Sequence, residues 1–143
     1  MNDQERDQGR EQLPQDLLAA ATEARARAYV PYSHFAVGAA LRTEDGRIFA
    51  GANIENASYG LSRCAEQSAV LAMVNAGTQA SERVIREVLV IADGSTAVSP
   101  CGACRQIIWE FGQNATVHMT NLQGDVLTLA MKELLPAGFV LEP

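Results

Sequence analysis

Basic charge is scarce in this chain. Eleven lysines and arginines face seventeen aspartates and glutamates, giving a formal net charge of −6 and a sequence pI near 4.8. That balance argues against a protein built to hold phosphate backbones, because nothing supplies the basic surface such binding requires. Long apolar runs are missing too. No stretch approaches the roughly 20 apolar residues of a membrane span, and the N-terminus carries no apolar signal core. Internal repeats and low-complexity segments are absent. Cysteine is limited to three residues, which cannot all pair within one chain, and two of them are spaced as Cys101-x-x-Cys104. The expectation is a reducing compartment, the cytoplasm, with thiols kept for chemistry or metal rather than for staples.

What is present is an ordinary globular composition. The 143 residues are 48% apolar and 20% charged, too apolar for disorder and enough to bury roughly two-thirds of the unfolded surface. Residues 1–13 read as a flexible, solvated tail, since the first dozen hold no apolar residue after Met1. Residues 14–143 read as a single domain. Helical spacing runs from Leu13 to Tyr29 and stops before Val30-Pro31, because the residue before proline is pushed out of the helical region. Phe35 to Leu41 and Arg47 to Ile54 read as a hairpin around Asp45-Gly46. A helix over Cys64 to Val74, a strand over Val84 to Ala92 and a helix over Gly102 to Phe111 follow. Short strands over Thr116 to Thr120 and Val126 to Leu129 come next, with a last helical turn from Met131 to Leu135. Strands alternating with helices define an α/β layered fold.

The cysteines fall at predicted helix starts, Cys64 at one and Cys101 with Cys104 at another. Helix N-termini favour thiolates, and three thiolates together repel unless a cation sits between them. Zinc is the common solution. Three protein ligands leave a fourth position for water, as in a catalytic site, and Glu66, two residues after Cys64, could hold its carboxylate beside that water. Spacing alone also admits a structural zinc with His34 or His118 as fourth ligand, a redox pair, or inert buried thiols. The combined pattern Cys-x-Glu … Pro-Cys-x-x-Cys matches the zinc deaminase signature, with Cys in place of the first His.

Five stretches in order carry a wider likeness: Pro31-Tyr32-Ser33-His34-Phe35-Ala36-Val37-Gly38-Ala39-Ala40, Asn53-Ile54-Glu55-Asn56-Ala57-Ser58-Tyr59, Cys64-Ala65-Glu66, Ser99-Pro100-Cys101-Gly102-Ala103-Cys104-Arg105-Gln106, and Glu133-Leu134-Leu135-Pro136. From about Leu17 to Phe139 the chain resembles the small homotetrameric, zinc-dependent cytidine deaminases of pyrimidine salvage. The resemblance implies a three-layer α/β/α sandwich with a mixed five-stranded sheet. It further implies one Zn2+ per subunit on Cys64, Cys101 and Cys104, and a homotetramer whose active sites are shared between chains. The implied reaction turns cytidine, and 2′-deoxycytidine, into uridine or deoxyuridine plus ammonia, by attack of zinc-bound hydroxide on C4 with Glu66 shuttling protons. The substrate is a free nucleoside, with neither nucleic acid nor membrane as partner.

The same resemblance implies substrate contacts for Phe35, against the pyrimidine, and for the main chain of Ala65. It implies contacts also for Asn53 and Glu55, on the ribose hydroxyls, and for Phe139, in a neighbour's site. Asn53 and Glu55 lie two residues apart, so their side chains share a face. Tyr59 is expected near the site at a subunit contact. Trp109 is read as helix core or interface, and His118 as a structural residue. The chain departs from the family pattern at Gln67, where an arginine is usual, and at Ala52, where relatives often have cysteine. Zinc with three thiolates is formally −1, and the usual arginine restores positive character. Arg63 is the expected replacement, assisted by Arg105 and the helix dipoles, with Gln67 limited to an uncharged amide donor.

Overall fold

Most elements follow directly from the apolar patterning. In the computed structural model, which describes residues 2–143, the order is α1 (Asp3–Glu11), α2 (Gln15–Arg25), β1 (Val37–Thr43), β2 (Ile48–Ala52), α3 (Ala65–Ala76), β3 (Ile85–Ala92), α4 (Gly102–Phe111), β4 (Thr116–Asn121), β5 (Val126–Ala130) and α5 (Met131–Leu134). The strands form one mixed sheet in the order β2-β1-β3-β4-β5. Only the β3–β4 pair is parallel. Side-chain alternation divides the core between the two faces. Ala40, Leu89 and Ile91 meet Leu13, Leu17 and Ala21 on the α2 side. Ala39, Leu41, Val88, Val90, Val117 and Met119 meet α3, α4 and α5 on the other. The result is the expected three-layer α/β/α sandwich.

Two departures from the sequence reading have physical causes. The segment read as a solvated tail is helical over Asp3–Glu11. Asn2 and Glu5 cap it reciprocally, side chain to main-chain N–H in each direction, at 2.9 Å. None of its residues is buried, as the polar composition required. It is docked instead by polar groups: Arg10 donates to the carbonyls of Asn121 and Leu122, and Arg6 pairs with Asp125. Leu13, placed in that tail, is 4% exposed and belongs to the core. The second departure is α2, which ends at Arg25 rather than near Tyr29. Tyr29 donates to the Asn53 carbonyl and accepts from the Glu55 N–H, so a tertiary bridge takes the groups that further helix would need.

The two helices that carry the cysteines are held in register by close approaches. β2 and β3 are both antiparallel to β1 and so point the same way. Their C-terminal ends therefore feed α3 and α4 from one edge of the sheet. Where α3 crosses β2, a Cβ on Gly51 would come within 2.6 Å of the Ser68 Cβ and 2.7 Å of the Ala69 N. On the opposite face a Cβ on Gly38 would come within 2.0 Å of the Ala21 carbonyl, which seats α2 against β1. No helix among the described residues is long and apolar enough to cross a membrane.

Candidate active site

At the shared strand edge, three sulfurs converge. Cys64 caps the N-terminus of α3, Cys101 caps that of α4, and Cys104 lies one turn into α4. Their Sγ atoms all lie within 4.8 Å of one another, with Cys64 and Cys101 4.0 Å apart. A tetrahedral zinc, with bonds of about 2.3 Å to sulfur, separates its sulfur ligands by about 3.8 Å, so the donor set fits that ion. Charge points the same way. The Cys64 thiol is lowered to about 6, first by the hydrogen bond from Cys104, with help from Cys101 and the Arg63 charge, against burial and the Glu66 carboxylate. Cys104 is driven upward, because it shares its proton with Cys64 and sits buried beside two negative groups. Without a cation the cluster supports one thiolate readily and resists a second. A dication removes that conflict.

Neither histidine joins the sulfurs. His118 is occupied by Glu87 and Thr128, each at 3.1 Å, in the structural role expected of it. The metal group among the described residues is therefore three cysteines, with no fourth His, Cys or carboxylate within reach. Glu66 lies in the first turn of α3 and is 5% exposed. Burial pushes its carboxyl well up from the ordinary range, opposed by hydrogen bonds from its own main chain and from Cys104.

Cys64, Cys101, Ala65 and Glu66 line a pocket of about 230 Å³, together with Phe35, Val37, Asn53, Val90, Val98 and Ser99. An adjoining groove of about 460 Å³ shares Asn53 and Cys64 and adds Glu55, Tyr59 and Arg63. Sequence-predicted residues thus meet along one continuous depression. Phe35 stays 42% exposed at its wall. Glu55 accepts the Tyr32 and Ser33 N–H groups through Oε1 at 3.0 and 3.1 Å. Its carboxyl is held below the usual range, first by the Ser33 hydroxyl and then by those N–H groups and the His34 charge. Tyr59 is 80% exposed and meets Tyr32 edge to face, ring centroids 6.4 Å apart.

Four of the expected residues have distinct surroundings in three dimensions. Phe139 lines neither pocket of its own chain; its main chain is gripped by the Gln106 carboxamide, and its ring is exposed. Arg105 touches no sulfur. Its guanidinium donates to the Pro100 carbonyl at 2.9 Å, the Leu134 carbonyl at 2.9 Å and the Ser99 hydroxyl at 2.7 Å, which makes it a staple for the loop before Cys101. Gln67 spends its carbonyl on the Cys64 N–H. Arg63 donates to the carbonyls of Gly60 and Ser62, close enough for its charge to favour the Cys64 thiolate. Sequence reasoning passed over Ser33, whose hydroxyl accepts the Phe35 N–H, and Val98 and Ser99 in the pocket wall. Ser33 and Ser99 lie within the matched stretches, but nothing in their spacing announced a role.

A three-thiol cation site with a buried carboxylate one turn away, opening into a small pocket, defines a metal-dependent enzyme for a small substrate. Residues 11–120 match the cytidine and deoxycytidylate deaminase zinc-binding region, and the chain belongs to that family. It is 47% identical over 129 residues to a cytidine deaminase of Halalkalibacterium halodurans, covering 90% of this chain and 95% of that one. A cytidine deaminase of Mycobacterium tuberculosis is 42% identical over 126 residues, 88% of this chain and 89% of the relative. Among solved structures, the cytidine deaminase of Burkholderia pseudomallei superposes with a TM-score of 0.82 at 44% identity, covering 89% of this chain and 99% of that one.

Proposed function

We propose that this chain hydrolyses cytidine, and 2′-deoxycytidine, to uridine or deoxyuridine and ammonia, with Glu66 carrying the protons. The observation behind it is the Glu66 carboxylate, buried beside the three-cysteine cluster, on the wall of a pocket that Cys64 and Cys101 also line. Cys64, Cys101 and Cys104 hold one zinc, which when bound supplies a Lewis acid that makes water nucleophilic near neutral pH.

The rest is work for this chain's residues. Phe35 and Val37 offer apolar wall to the pyrimidine, and the Ala65 main chain borders the base edge. Glu66 protonates ring nitrogen N3 as the water oxygen bonds to C4. It then accepts the proton released by that water and passes it to the exocyclic amine. The C4–N bond breaks, ammonia leaves, and the Glu66 carboxylate takes the second proton of the former water as the C4 hydroxyl becomes the carbonyl, which returns it to its protonated starting state. Glu55, which lines the groove, suits a ribose hydroxyl, since a carboxylate is a strong acceptor for one. A non-ribosyl aminopyrimidine has no use for that carboxylate.

The quaternary reading is a homotetramer with sites completed by neighbouring chains. Exposed apolar residues support it: Tyr29, Ile54, Tyr59 and Leu61 around the groove, and Phe139, Val140 and Leu141 at the C-terminus. Three unpaired thiols suit a cytoplasmic enzyme of pyrimidine salvage. The test is an ultraviolet assay on cytidine with zinc quantified beside it. Parent protein is expected to turn over. Glu66→Gln is expected to keep its zinc and lose activity by about a thousandfold or more, general acid and base steps being lost together. Zinc in both proteins with turnover in neither would overturn the reading.

A further inference from the structure

We propose that Asp93-Gly94, in the loop between β3 and α4, is a site of spontaneous covalent modification: the chain isomerises there to isoaspartate, and the rerouted main chain loosens the pocket wall. The modification follows from local chemistry alone. Its cost to turnover rests on the nucleoside reading of the pocket.

Asp-Gly occurs twice in the chain, at Asp45-Gly46 and at Asp93-Gly94. The pair is prone to this reaction because glycine has no Cβ to shield its nitrogen. That nitrogen attacks the aspartate side-chain carboxyl carbon. A C–N bond forms, a C–O bond breaks, and the nitrogen's proton leaves with the carboxyl hydroxyl as water. Water then opens the five-membered imide at either carbonyl, giving aspartate or isoaspartate with no net change in mass or oxidation state. Two things are required: a glycine nitrogen free to approach, and a carboxyl free to turn.

The two sites differ on both counts. The Gly46 N–H donates to the Thr43 carbonyl at 2.9 Å. The Asp45 carboxylate accepts the Thr43 hydroxyl through one oxygen and Arg47 Nε, at 3.0 Å, through the other. Thr43 is fully buried, so this turn is anchored. At the second site the Gly94 N–H donates to no acceptor among the described residues. The exposed Asp93 carboxylate has one partner there, Gln123 Nε2 at 3.1 Å. β3 ends at Ala92, so the sheet holds neither residue.

The consequence reaches the pocket. The Gly94 carbonyl accepts from Nδ2 of the buried Asn121 at 2.9 Å. A Cβ on Gly94 would lie 3.2 Å from Val98 Cγ2, so Gly94 backs a residue that lines the pocket with Cys101. An isoaspartyl link adds one carbon to the main chain between Ala92 and Gly94. Gly94 is thereby displaced from Asn121 and from Val98 together.

The experiment incubates folded protein, and protein unfolded in urea, at physiological temperature and neutral pH. Isoaspartate is located by peptide mass spectrometry with electron-transfer fragmentation, and counted with an isoaspartyl carboxyl methyltransferase. In the folded protein Asp93 is expected to isomerise faster than Asp45 by about tenfold or more, the scale of the additional hydrogen bonds at Asp45-Gly46. In urea the two rates should agree within about twofold, since local opening no longer separates them. Comparable rates in the folded protein, or isoaspartate arising first at Asp45, would overturn the proposal. Aged parent should lose activity on cytidine, and release zinc to a chelator faster, in step with isoaspartate at position 93. Asp93→Glu, which would have to close a six-membered imide, should hold both properties over the same time. Aged parent modified at Asp93 with turnover and zinc release unchanged also overturns the proposal. Inactivity of fresh parent on cytidine would instead remove the nucleoside reading; mass spectrometry and zinc release then decide the proposal by themselves.

Discussion

Arg105 offers the sharpest test of how the metal loop is built, because two physical roles for it predict opposite results. As a source of positive charge near the thiolates, it would be replaceable by lysine. As a staple it would not. Its guanidinium reaches three acceptors at once, the Pro100 and Leu134 carbonyls and the Ser99 hydroxyl. Pro100 and Leu134 are both buried, and water cannot readily replace the lost donor there, whereas Ser99 is exposed and can turn to solvent. Counting only the two carbonyls, at about 1.5 kcal/mol for each hydrogen bond to a charged group, Arg105→Met should cost about 3 kcal/mol. For a chain of this size that is a fall in Tm of roughly 6–12 °C. Arg105→Lys keeps the charge but can satisfy one carbonyl at a time, so it should recover less than half. Because the staple holds the residue preceding Cys101, both variants should also release zinc to a chelator faster than the parent. Calorimetry and a chromophoric zinc chelator read the two effects. Full rescue by lysine, or an Arg105→Met protein that melts within about 2 °C of the parent and holds zinc equally well, would refute the staple.

Other perturbations follow from the same geometry. Gly51→Val puts a branched side chain where the Ser68 Cβ would lie only 2.6 Å from the first added carbon, so α3 must move off β2. A destabilisation of about 2–3 kcal/mol by denaturant titration, with lowered zinc occupancy, is expected. Arg63→Gln removes the cation that favours the Cys64 thiolate, and should weaken zinc retention and shift the pH–rate profile upward; an unchanged profile and unchanged zinc would return Arg63 to a purely structural role. Asp16, Asp45, Glu55 and Glu82 all lie below their ordinary carboxyl values, held chiefly by Arg42, by Thr43, by Ser33 and by the Gln79 N–H respectively. A depressed carboxyl contributes stability above its unfolded pKa and loses it as the pH falls through its folded one. The contribution of these four carboxylates should therefore be fully present above about pH 5 and lost as the pH falls below about 4, read by urea titration as a decline in stability over that range.

Much of this arrangement was legible because local signals and tertiary packing agree. α4 occupies Gly102–Phe111 as its pattern required, since Cys101 caps it and its apolar face at Ile108 and Trp109 meets the core. The hairpin, the buried β3 and the two short C-terminal strands were read within a residue or two for the same reason. Where the reading failed, partners distant in sequence decided the outcome. Nothing near Tyr29 says that Asn53 and Glu55 will claim its main chain and end α2 early. Nothing near Gly9 says that Arg6 and Arg10 will find Asp125 and two carbonyls at the β4–β5 turn, converting an apolar-free segment into a docked helix. Long polar side chains are the common factor. Their acceptors are set by topology, which the sequence pattern describes only coarsely, so Arg105 beside a cysteine in sequence is a loop staple in space.

The substitution at Gln67 can be argued further on the same terms. A three-thiolate zinc is formally anionic, and any group that restores positive character eases deprotonation of a water on it. Gln67 contributes none, and its carbonyl is committed to the Cys64 N–H, which it caps as the third residue of α3. That bond fixes the start of the helix and so the position of the first ligand. It leaves the charge problem to the rest of the site. Two N-terminal helix dipoles converge there, because Cys64 and Cys101 are both capping residues, and each terminus carries partial positive charge. Arg63 adds a full charge on the exposed side, where solvent screens it. On this argument two helix ends and one solvated guanidinium are the sources of positive character expected to act on the three thiolates. Zinc affinity here should accordingly fall more steeply when a helix start is disturbed than when Arg63 is neutralised. Gly51→Val and Arg63→Gln, compared in one chelator assay, set those two contributions side by side.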